Sequence, residues 1–398
     1  MHGQKRAEYK ARLRDPVVSK KLEQKAQQWN TLTQTLLQKR KTKLEITSEE
    51  ETLPTEKVAE TLALTEKLLT VNPDPSYLWN IRRELLHDTD NQEFLKQEQI
   101  LTQTALSNNP KAYGAWFHRK WCIQKYCNDE TIENDKTIML HAELILCSEF
   151  LRLDERNFHC WNYRRFIVGV LMELYACKDG MYNGEWIWKQ NADIIFGAQM
   201  HSRNKREASV DYTNNVDIQE LIESEWNFTL EKIEQNFSNG SAFHYRSKLL
   251  PIMLNLKTCD NVDVWECKVE YLQQELELIR NAVFTEPDDQ TAWWYLRFII
   301  TWANPCNHKD EQENKEAIDM FHKTLFEEWN TIQELAESEE HCKWALLGLH
   351  MISSEMLKLQ DAHSFEGDVD WHDVSNDYLE RLKQLDVDRL ARYESIKM

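Results

Sequence analysis

The stretch NNPKAYGAWFHRKWC, residues 108–122, recurs along this chain in altered copies that share an aromatic residue followed by Arg. Successive aromatic centres lie 37, 45, 82, 50 and 51 residues apart. An ordinary interval of this size accommodates two helices and two loops, so the pattern predicts a repeat of helix pairs. The long interval indicates an insertion within residues 173–216. The five clear centres and a weaker sixth are Trp79, Trp116, Trp161, Phe243, Trp293 and Trp344.

An Arg follows the aromatic centre by three positions in four copies and by four positions in the fifth. Residues at these spacings share one face of a helix, so each Arg can stack on the ring or bond a neighbouring helix. We therefore interpret most of the Trp and Arg residues as packing elements of the repeat. The Arg residues in question are Arg82, Arg119, Arg164, Arg246 and Arg297.

Three copies are preceded by Asn-Pro or Glu-Pro, at Pro73, Pro110 and Pro287. Pro has a fixed φ and no N–H group, which suits the first turn of a helix, so these residues are predicted to begin the helix that carries the aromatic residue. Amphipathic segments such as 55–69 and 141–153 are predicted to form the partner helices.

Only 9 Gly and 8 Pro occur in 398 residues, which disfavours a sheet with many hairpins. The predicted fold is all-α, an α-α superhelical solenoid of helix pairs that forms a crescent with one concave face available for binding. We divide the chain into a basic arm and helix at 1–50, the repeats at 51–350 and C-terminal capping helices at 351–398.

The formal net charge is −19, although residues 1–44 carry twelve Lys and Arg against three Asp and Glu. An acidic body argues against nucleic acid as a partner. The first thirty residues lack the apolar core of a signal peptide, and no run of about 18 apolar residues predicts a transmembrane segment. Nine Cys without a CxxC pair indicate reduced, mostly buried thiols of a cytoplasmic protein and no zinc site in this chain.

The pattern Asn-Pro-x-x-Tyr-x-x-Trp-x-x-Arg resembles the repeat of protein prenyltransferase α subunits over about residues 60–350. Within that family, the segments 109–121, 154–166 and 284–295 and the start Met1-His2-Gly3 are most similar to the Rab geranylgeranyltransferase (type II) α subunits, in the short form typical of fungi. The chain departs from the family at Leu296, where His is common, and in the insertion at 173–216.

The resemblance implies transfer of a geranylgeranyl group from geranylgeranyl diphosphate to C-terminal cysteines of Rab GTPases. It also implies an obligate prenyltransferase β subunit that holds zinc and the lipid pocket, and a Rab escort protein that presents the substrate. Lys111 and Tyr113 match the family's diphosphate-contacting positions, and Asn157 and His159 match positions near the diphosphate and the incoming peptide. His2 is a possible contact to the partner's zinc.

Lys111 follows Asn109-Pro110 and is therefore predicted to lie in the first turn of its helix. Free N–H groups and the positive end of the helix dipole attract an anion there, and the ammonium adds to that attraction. Two alternatives stay open: the shared α subunit of farnesyltransferase and geranylgeranyltransferase type I, and a helical-repeat scaffold without catalysis. Lys111 and Tyr113 together speak against the scaffold, which has no need of them.

Overall fold

The computed structural model describes residues 15–46, 55–87, 92–128, 135–178, 215–257, 263–305, 315–363 and 369–396. The described residues form helices and contain no β-strand, which confirms the predicted all-α helical repeat. The chain divides into two compact units, Met1–Phe150 and Leu151–Met398. No helix in the described ranges is long and apolar enough to cross a bilayer.

The first unit contains one long helix, two helix pairs and most of a sixth helix. In chain order these are α1 (Pro16–Ile46), α2 (Thr55–Val71), α3 (Ser76–Leu85), α4 (Gln92–Asn108), α5 (Tyr113–Asn128) and α6 (Asp135–Leu153). Helices α2 and α3 form one pair and α4 and α5 the next, and α3 also packs on α5. The second helices of these two neighbouring repeats therefore pack side by side.

The second unit continues the alternation to the end of the chain. Its helices are α7 (Phe158–Lys178), α8 (Val216–Gln235), α9 (Gly240–Lys257), α10 (Val264–Thr285), α11 (Gln290–Ala303), α12 (Lys315–Ser338), α13 (Lys343–His363), α14 (Trp371–Leu385) and α15 (Leu390–Glu394). The centre of the predicted insertion, residues 179–214, lies outside the described residues. The predicted boundary at 350 falls inside α13.

Four of the repeat Trp residues are fixed by the carbonyl group six residues before them. The indole Nε1 of Trp79 donates to Pro73 O at 2.9 Å, and Trp116, Trp161 and Trp293 make the same bond at 2.8–2.9 Å. The predicted position of Pro in the first helical turn is wrong, because α3 begins only at Ser76, three residues after Pro73. Pro instead shapes the turn that presents its carbonyl to the buried indole N–H, which needs an acceptor.

The four Arg residues that follow the aromatic centre by three positions are buried and form one repeating ion pair, here called the Arg–Glu ladder. Each Arg holds a Glu on the first helix of the next repeat through both Nε and Nη2, as Arg119 holds Glu143 at 2.7 and 2.6 Å. The predicted packing role of these Arg residues is therefore confirmed. The four pairs are Arg82–Glu98, Arg119–Glu143, Arg164–Glu225 and Arg246–Glu275.

Further hydrogen bonds satisfy the polar atoms that each ion pair leaves over, as the pair Arg246–Glu275 shows. Arg246 Nη1 donates to Trp226 O at 3.0 Å and to Thr229 Oγ1 at 3.1 Å, on the first helix of its own repeat. The hydroxyl of Tyr295, two residues after the next aromatic centre, donates to Glu275 at 2.7 Å. A buried charge is tolerated when it is paired and its remaining hydrogen-bonding capacity is used, as it is here.

The pKa of Glu98 shows how strongly the ladder favours its ionised form. Burial alone would raise this pKa, but hydrogen bonds from Arg82 and His118 lower it to about 2. The imidazole Nε2 of His118 lies 2.8 Å from Glu98 Oε2, and burial lowers the pKa of His118. Because both folded pKa values are lowered, the folded state is most stable above the ordinary pKa values of Glu and His. The free energy of unfolding therefore falls as the pH drops below those values.

The fifth repeat departs from the ladder. The bond from Trp293 to Pro287 fixes Trp293 as the aromatic centre, so Leu296 occupies the Arg position and is fully buried. Arg297 was predicted to stack on a ring or to bond a neighbouring helix. Its exposed guanidinium lies 5.9 Å from the ring centroid of Trp294, and Arg297 is not part of the Arg–Glu ladder. Arg297 stands three residues after Trp294, the Trp adjacent to the centre Trp293, so the sequence alone does not show which residue occupies the repeat Arg position.

The described cysteines fit the predicted interior thiols. Cys122, Cys127, Cys147, Cys160, Cys267 and Cys342 are buried and unbridged. Burial raises the pKa of the Cys122 thiol well above its ordinary value. A thiol held protonated in this way is a packing group and a poor nucleophile or metal ligand.

Candidate functional site

Lys111 lies in the turn that leads into α5. The predicted place in the first helical turn is wrong by two residues, since α5 begins at Tyr113 and Ala112 O accepts the N–H groups of Ala115 and Trp116 at 3.1 and 3.3 Å. The cause is the Pro110 carbonyl, which has to face Trp116 Nε1 and so keeps the preceding residues in a turn. Lys111 is exposed, and its backbone N–H donates to Asn109 Oδ1 at 3.1 Å.

Tyr113 is the first residue of α5, and 66% of its surface is exposed. Its ring stacks on Phe117, one turn later, with 6.4 Å between ring centroids and 15° between planes. The Arg83 guanidinium lies 4.7 Å from the centroid of Phe117. The sequence pattern did not single out Phe117 or Arg83, although Phe117 stands four residues after Tyr113 and Arg83 directly follows a ladder Arg.

Arg83 is held in place by two polar side chains. Its Nη2 donates to Asn80 Oδ1, and its Nη1 lies 3.4 Å from Nδ1 of His118. Burial lowers the pKa of Arg83, but a guanidinium remains charged at neutral pH. The start of α5 is therefore lined by an exposed ammonium, two stacked aromatic rings and a cation, a set that suits an anion carrying an apolar group.

Asn157 precedes α7 and is buried. Its Oδ1 accepts from the N–H groups of His159 at 3.1 Å and Cys160 at 3.3 Å, which is the bonding of a helix N-cap. His159 is half-buried, with its ring centroid 3.9 Å from that of Phe158. These contacts give Asn157 a structural role, and its proximity to a diphosphate stays a prediction.

The predicted site residues fall into two pairs. Lys111 and Tyr113 lie together at the start of α5 in the first unit, and Asn157 and His159 lie together at the start of α7 in the second unit. His2 lies outside the described residues.

Among the described residues, one group has donor atoms close enough to share a metal ion: Asp370, His372 and Asp373, all exposed. Asp370 Oδ1 accepts the N–H groups of His372 and Asp373 at 3.0 and 3.1 Å and so caps α14. This bonding explains the cluster as a helix cap. A cavity of about 460 Å³ between α11, α13 and α15 also contains none of the predicted site residues.

The family described as protein prenyltransferase alpha subunit repeat matches residues 95–126, 140–171, 222–253 and 272–303. These four ranges correspond to the helix pairs α4–α5, α6–α7, α8–α9 and α10–α11. The first match therefore includes Lys111, Tyr113 and two members of the Arg–Glu ladder, Glu98 and Arg119.

Curated relatives named Geranylgeranyl transferase type-2 subunit alpha match across both units. The protein from Sus scrofa is 32% identical over 303 residues, 73% of this chain and 41% of the relative. The protein from Candida albicans is 30% identical over 267 residues, 61% of each chain. The protein from Saccharomyces cerevisiae is 27% identical over 317 residues, 79% of this chain and 76% of the relative. The match thus spans about two fifths of the animal relative and most of the yeast one.

The solved structure of Candida albicans protein geranylgeranyltransferase-I complexed with GGPP matches with a TM-score of 0.44 and 15% identity, over 85% of this chain and 95% of that chain. A likeness of this size carries no argument. The four matched repeats and the named relatives show that the chain belongs to the protein prenyltransferase α-subunit family, alongside type-2 geranylgeranyl transferase α subunits.

Proposed function

We propose that this chain is the α subunit of a Rab geranylgeranyltransferase and acts as an obligate heterodimer with a prenyltransferase β subunit. The observation that carries this proposal is the run of relatives with the type-2 name, whose matches cover 61–79% of this chain. The exposed Lys111–Tyr113 pair at the start of α5 supports it, because a helical scaffold needs no cation at that place.

In this proposal the start of α5 stabilises the leaving diphosphate. As the thiolate of the substrate cysteine forms its bond to the geranylgeranyl C1 carbon, the bond from C1 to the diphosphate oxygen breaks. Its electron pair leaves with the diphosphate, so negative charge grows on the diphosphate oxygens. The Lys111 ammonium and the N-terminal end of α5 attract that charge more strongly in the transition state than in the substrate. Tyr113 supplies a hydroxyl at the same edge, and its stacking on Phe117 limits the positions of its ring.

The remaining parts of the reaction are assigned to partners. We place the zinc ion and the lipid pocket in the β subunit, since the six described cysteines are buried interior thiols and Asp370 caps a helix. Zinc would lower the pKa of the substrate cysteine and stabilise its thiolate. A Rab escort protein would present the Rab GTPase, and buried reduced thiols fit a cytoplasmic location. Asn157 and His159 are proposed to lie near the diphosphate and the peptide.

The test is to purify the chain alone, with a type-2 β subunit, and with a farnesyltransferase-type β subunit as the matched control. Transfer from geranylgeranyl diphosphate to a Rab GTPase is then measured with zinc and escort protein present. We expect transfer only with the type-2 β subunit. Transfer by the single chain would contradict the heterodimer, and transfer only with the farnesyl-type subunit would favour the shared α subunit instead.

A further inference from the structure

The turn that carries Lys111 is attached to the preceding repeat through one side chain. Asn109 Nδ2 donates to Asp74 Oδ1 at 2.7 Å, and Asn109 Oδ1 accepts the backbone N–H of Lys111 at 3.1 Å. Asn109 thus connects the carboxylate of Asp74 with the backbone of Lys111. If the contact to Asp74 is lost, the Asn109 amide can rotate away from the Lys111 N–H.

Asp74 is itself held in a defined turn between α2 and α3. Its backbone N–H donates to Asn72 Oδ1 at 3.2 Å, and the N–H of Asn72 donates to Leu68 O at 2.9 Å. Asp74 stands five residues before Trp79, and Lys111 stands five residues before Trp116. Equivalent positions of two adjacent repeats are therefore joined, with an anion in one and a cation in the next.

Two further contacts fix the start of α5 against the first repeat. Asn108 Nδ2 donates to Thr70 O at 3.3 Å. A Cβ atom at Gly114 would lie 2.5 Å from Trp79 Cδ1, so only Gly allows α5 to approach that ring so closely. The backbone on either side of Lys111 is thus anchored, and Asp74 completes the anchoring at the turn itself.

We propose that Asp74 is a positioning residue for Lys111, acting through Asn109. This inference rests on the proposed function, because it assigns the ammonium of Lys111 to the leaving diphosphate. Orientation of a catalytic group is sensitive to small displacements, so loss of one anchoring hydrogen bond lowers the rate without unfolding the repeat. The hydrogen bond between Asn109 and Asp74 is exposed, so its loss should lower the transfer rate by much less than the loss of Lys111 itself.

The second unit contains a similar turn without a candidate cation, which provides a control. Asn236 Nδ2 donates to Glu155 Oε1, and Asn236 Oδ1 accepts the N–H of Ser238 at 2.9 Å. Ser238 Oγ in turn donates to Asp289 Oδ2 at 2.6 Å. Ser238→Ala therefore removes an inter-repeat hydrogen bond to a carboxylate in the other unit and leaves the Asn236–Glu155 contact in place.

The experiment measures kcat of the full heterodimer, under conditions where chemistry is rate-limiting, for Asp74→Ala, Asp74→Asn, Ser238→Ala and Lys111→Ala. We expect Asp74→Ala to lower kcat by about 3- to 10-fold, the range of one hydrogen bond. Asp74→Asn keeps an acceptor oxygen and should stay within about twofold of the parent, as should Ser238→Ala.

The double variant Asp74→Ala/Lys111→Ala provides the decisive comparison, because a residue that acts through Lys111 has nothing left to position once the ammonium is absent. Its kcat should equal that of Lys111→Ala alone. An unchanged kcat for Asp74→Ala, or a loss that adds fully to that of Lys111→Ala, would overturn the inference.

Hydrogen exchange at the Lys111 amide provides a readout that is independent of transfer activity. Asp74→Ala should accelerate this exchange, whereas Ser238→Ala should leave it unchanged. If the parent heterodimer transfers no geranylgeranyl group, the proposed function fails, and unchanged exchange would separately show that Asp74 does not hold the turn.

Discussion

The interior of the repeats and the turns that precede their second helices follow different rules. In the interior, four successive repeats place a buried Arg on a buried Glu with nearly the same bonds. In the turns, the position five residues before the aromatic centre changes at every step, from Asp74 to Lys111, Arg156, Ser238 and Asp288. The residues that four successive repeats share serve packing, and a residue that a single repeat carries is a place for specific chemistry.

The ladder itself contains a second contrast at its C-terminal end. Glu275 is held by Arg246 and Tyr295, whereas Glu328 on α12 follows a repeat in which the buried Leu296 occupies the ladder Arg position. Arg280 supplies one bond to Glu328 Oε2 at 2.7 Å, and Oε1 has no hydrogen-bond partner among the described residues. Burial consequently raises the pKa of Glu328, opposite to the shift of Glu98.

The largest expected loss of stability comes from breaking one Arg–Glu pair of the ladder. Arg246→Ala leaves Glu275 buried without its guanidinium, and removing one partner of a buried pair typically costs about 3–5 kcal/mol. Arg297→Ala is the matched control on the neighbouring second helix, because Arg297 is exposed and lies outside the ladder. Its effect should stay within about 0.5 kcal/mol.

Urea unfolding of the purified protein, followed by Trp fluorescence, measures both variants. Equal free energies of unfolding for Arg246→Ala and Arg297→Ala would show that the buried pairs do not distinguish the interior from the surface.

A smaller change in the free energy of unfolding, of opposite sign, is expected at Glu328, which lacks a ladder Arg. The folded pKa of Glu328 is raised above its unfolded value, so its contribution is fully present below the unfolded pKa of about 4.5 and is lost as the pH rises through the folded pKa. Glu328→Gln removes this titration. At neutral pH the variant should be more stable by about 1 kcal/mol, the lower end of the cost of an unsatisfied buried polar group.

The measurement is the free energy of unfolding of Glu328→Gln and the parent at pH 4 and pH 7.5. The difference should be present at the higher pH and nearly absent at the lower one. A variant less stable than the parent at both pH values would mean that the ionised Glu328 is adequately paired.

The sequence predicted the helix pairs and the structural role of four Arg residues, because an aromatic residue and an Arg on one helix face form a local pattern. It could not identify the acids that pair with them. The Glu partner follows its Arg by 16, 24, 61 or 29 residues, since the number of residues between the two helices differs from repeat to repeat. The same limit hid Asp74 and Arg83, whose contacts with the start of α5 run between repeats.

Local patterns also misplaced two residues. Lys111 was expected inside the helix because Pro favours a first turn, but the indole of Trp116 takes the Pro110 carbonyl and shifts the helix start to Tyr113. Arg297 was predicted to be the repeat Arg of the fifth copy although it stands four residues after Trp293, and the bond from Trp293 to Pro287 shows that Leu296 occupies that position.

The measurement that tests the central claim most directly is kcat of the Lys111→Ala heterodimer with chemistry rate-limiting. Lys96→Ala on α4 is the matched control, an exposed Lys in the same helix pair. We predict that Lys111→Ala lowers kcat by about 10²–10³, as loss of one contact to a developing charge does. Its urea midpoint and heterodimer formation should match those of Lys96→Ala, whose kcat stays that of the parent. An unchanged kcat for Lys111→Ala would contradict the assignment of this turn to the leaving diphosphate.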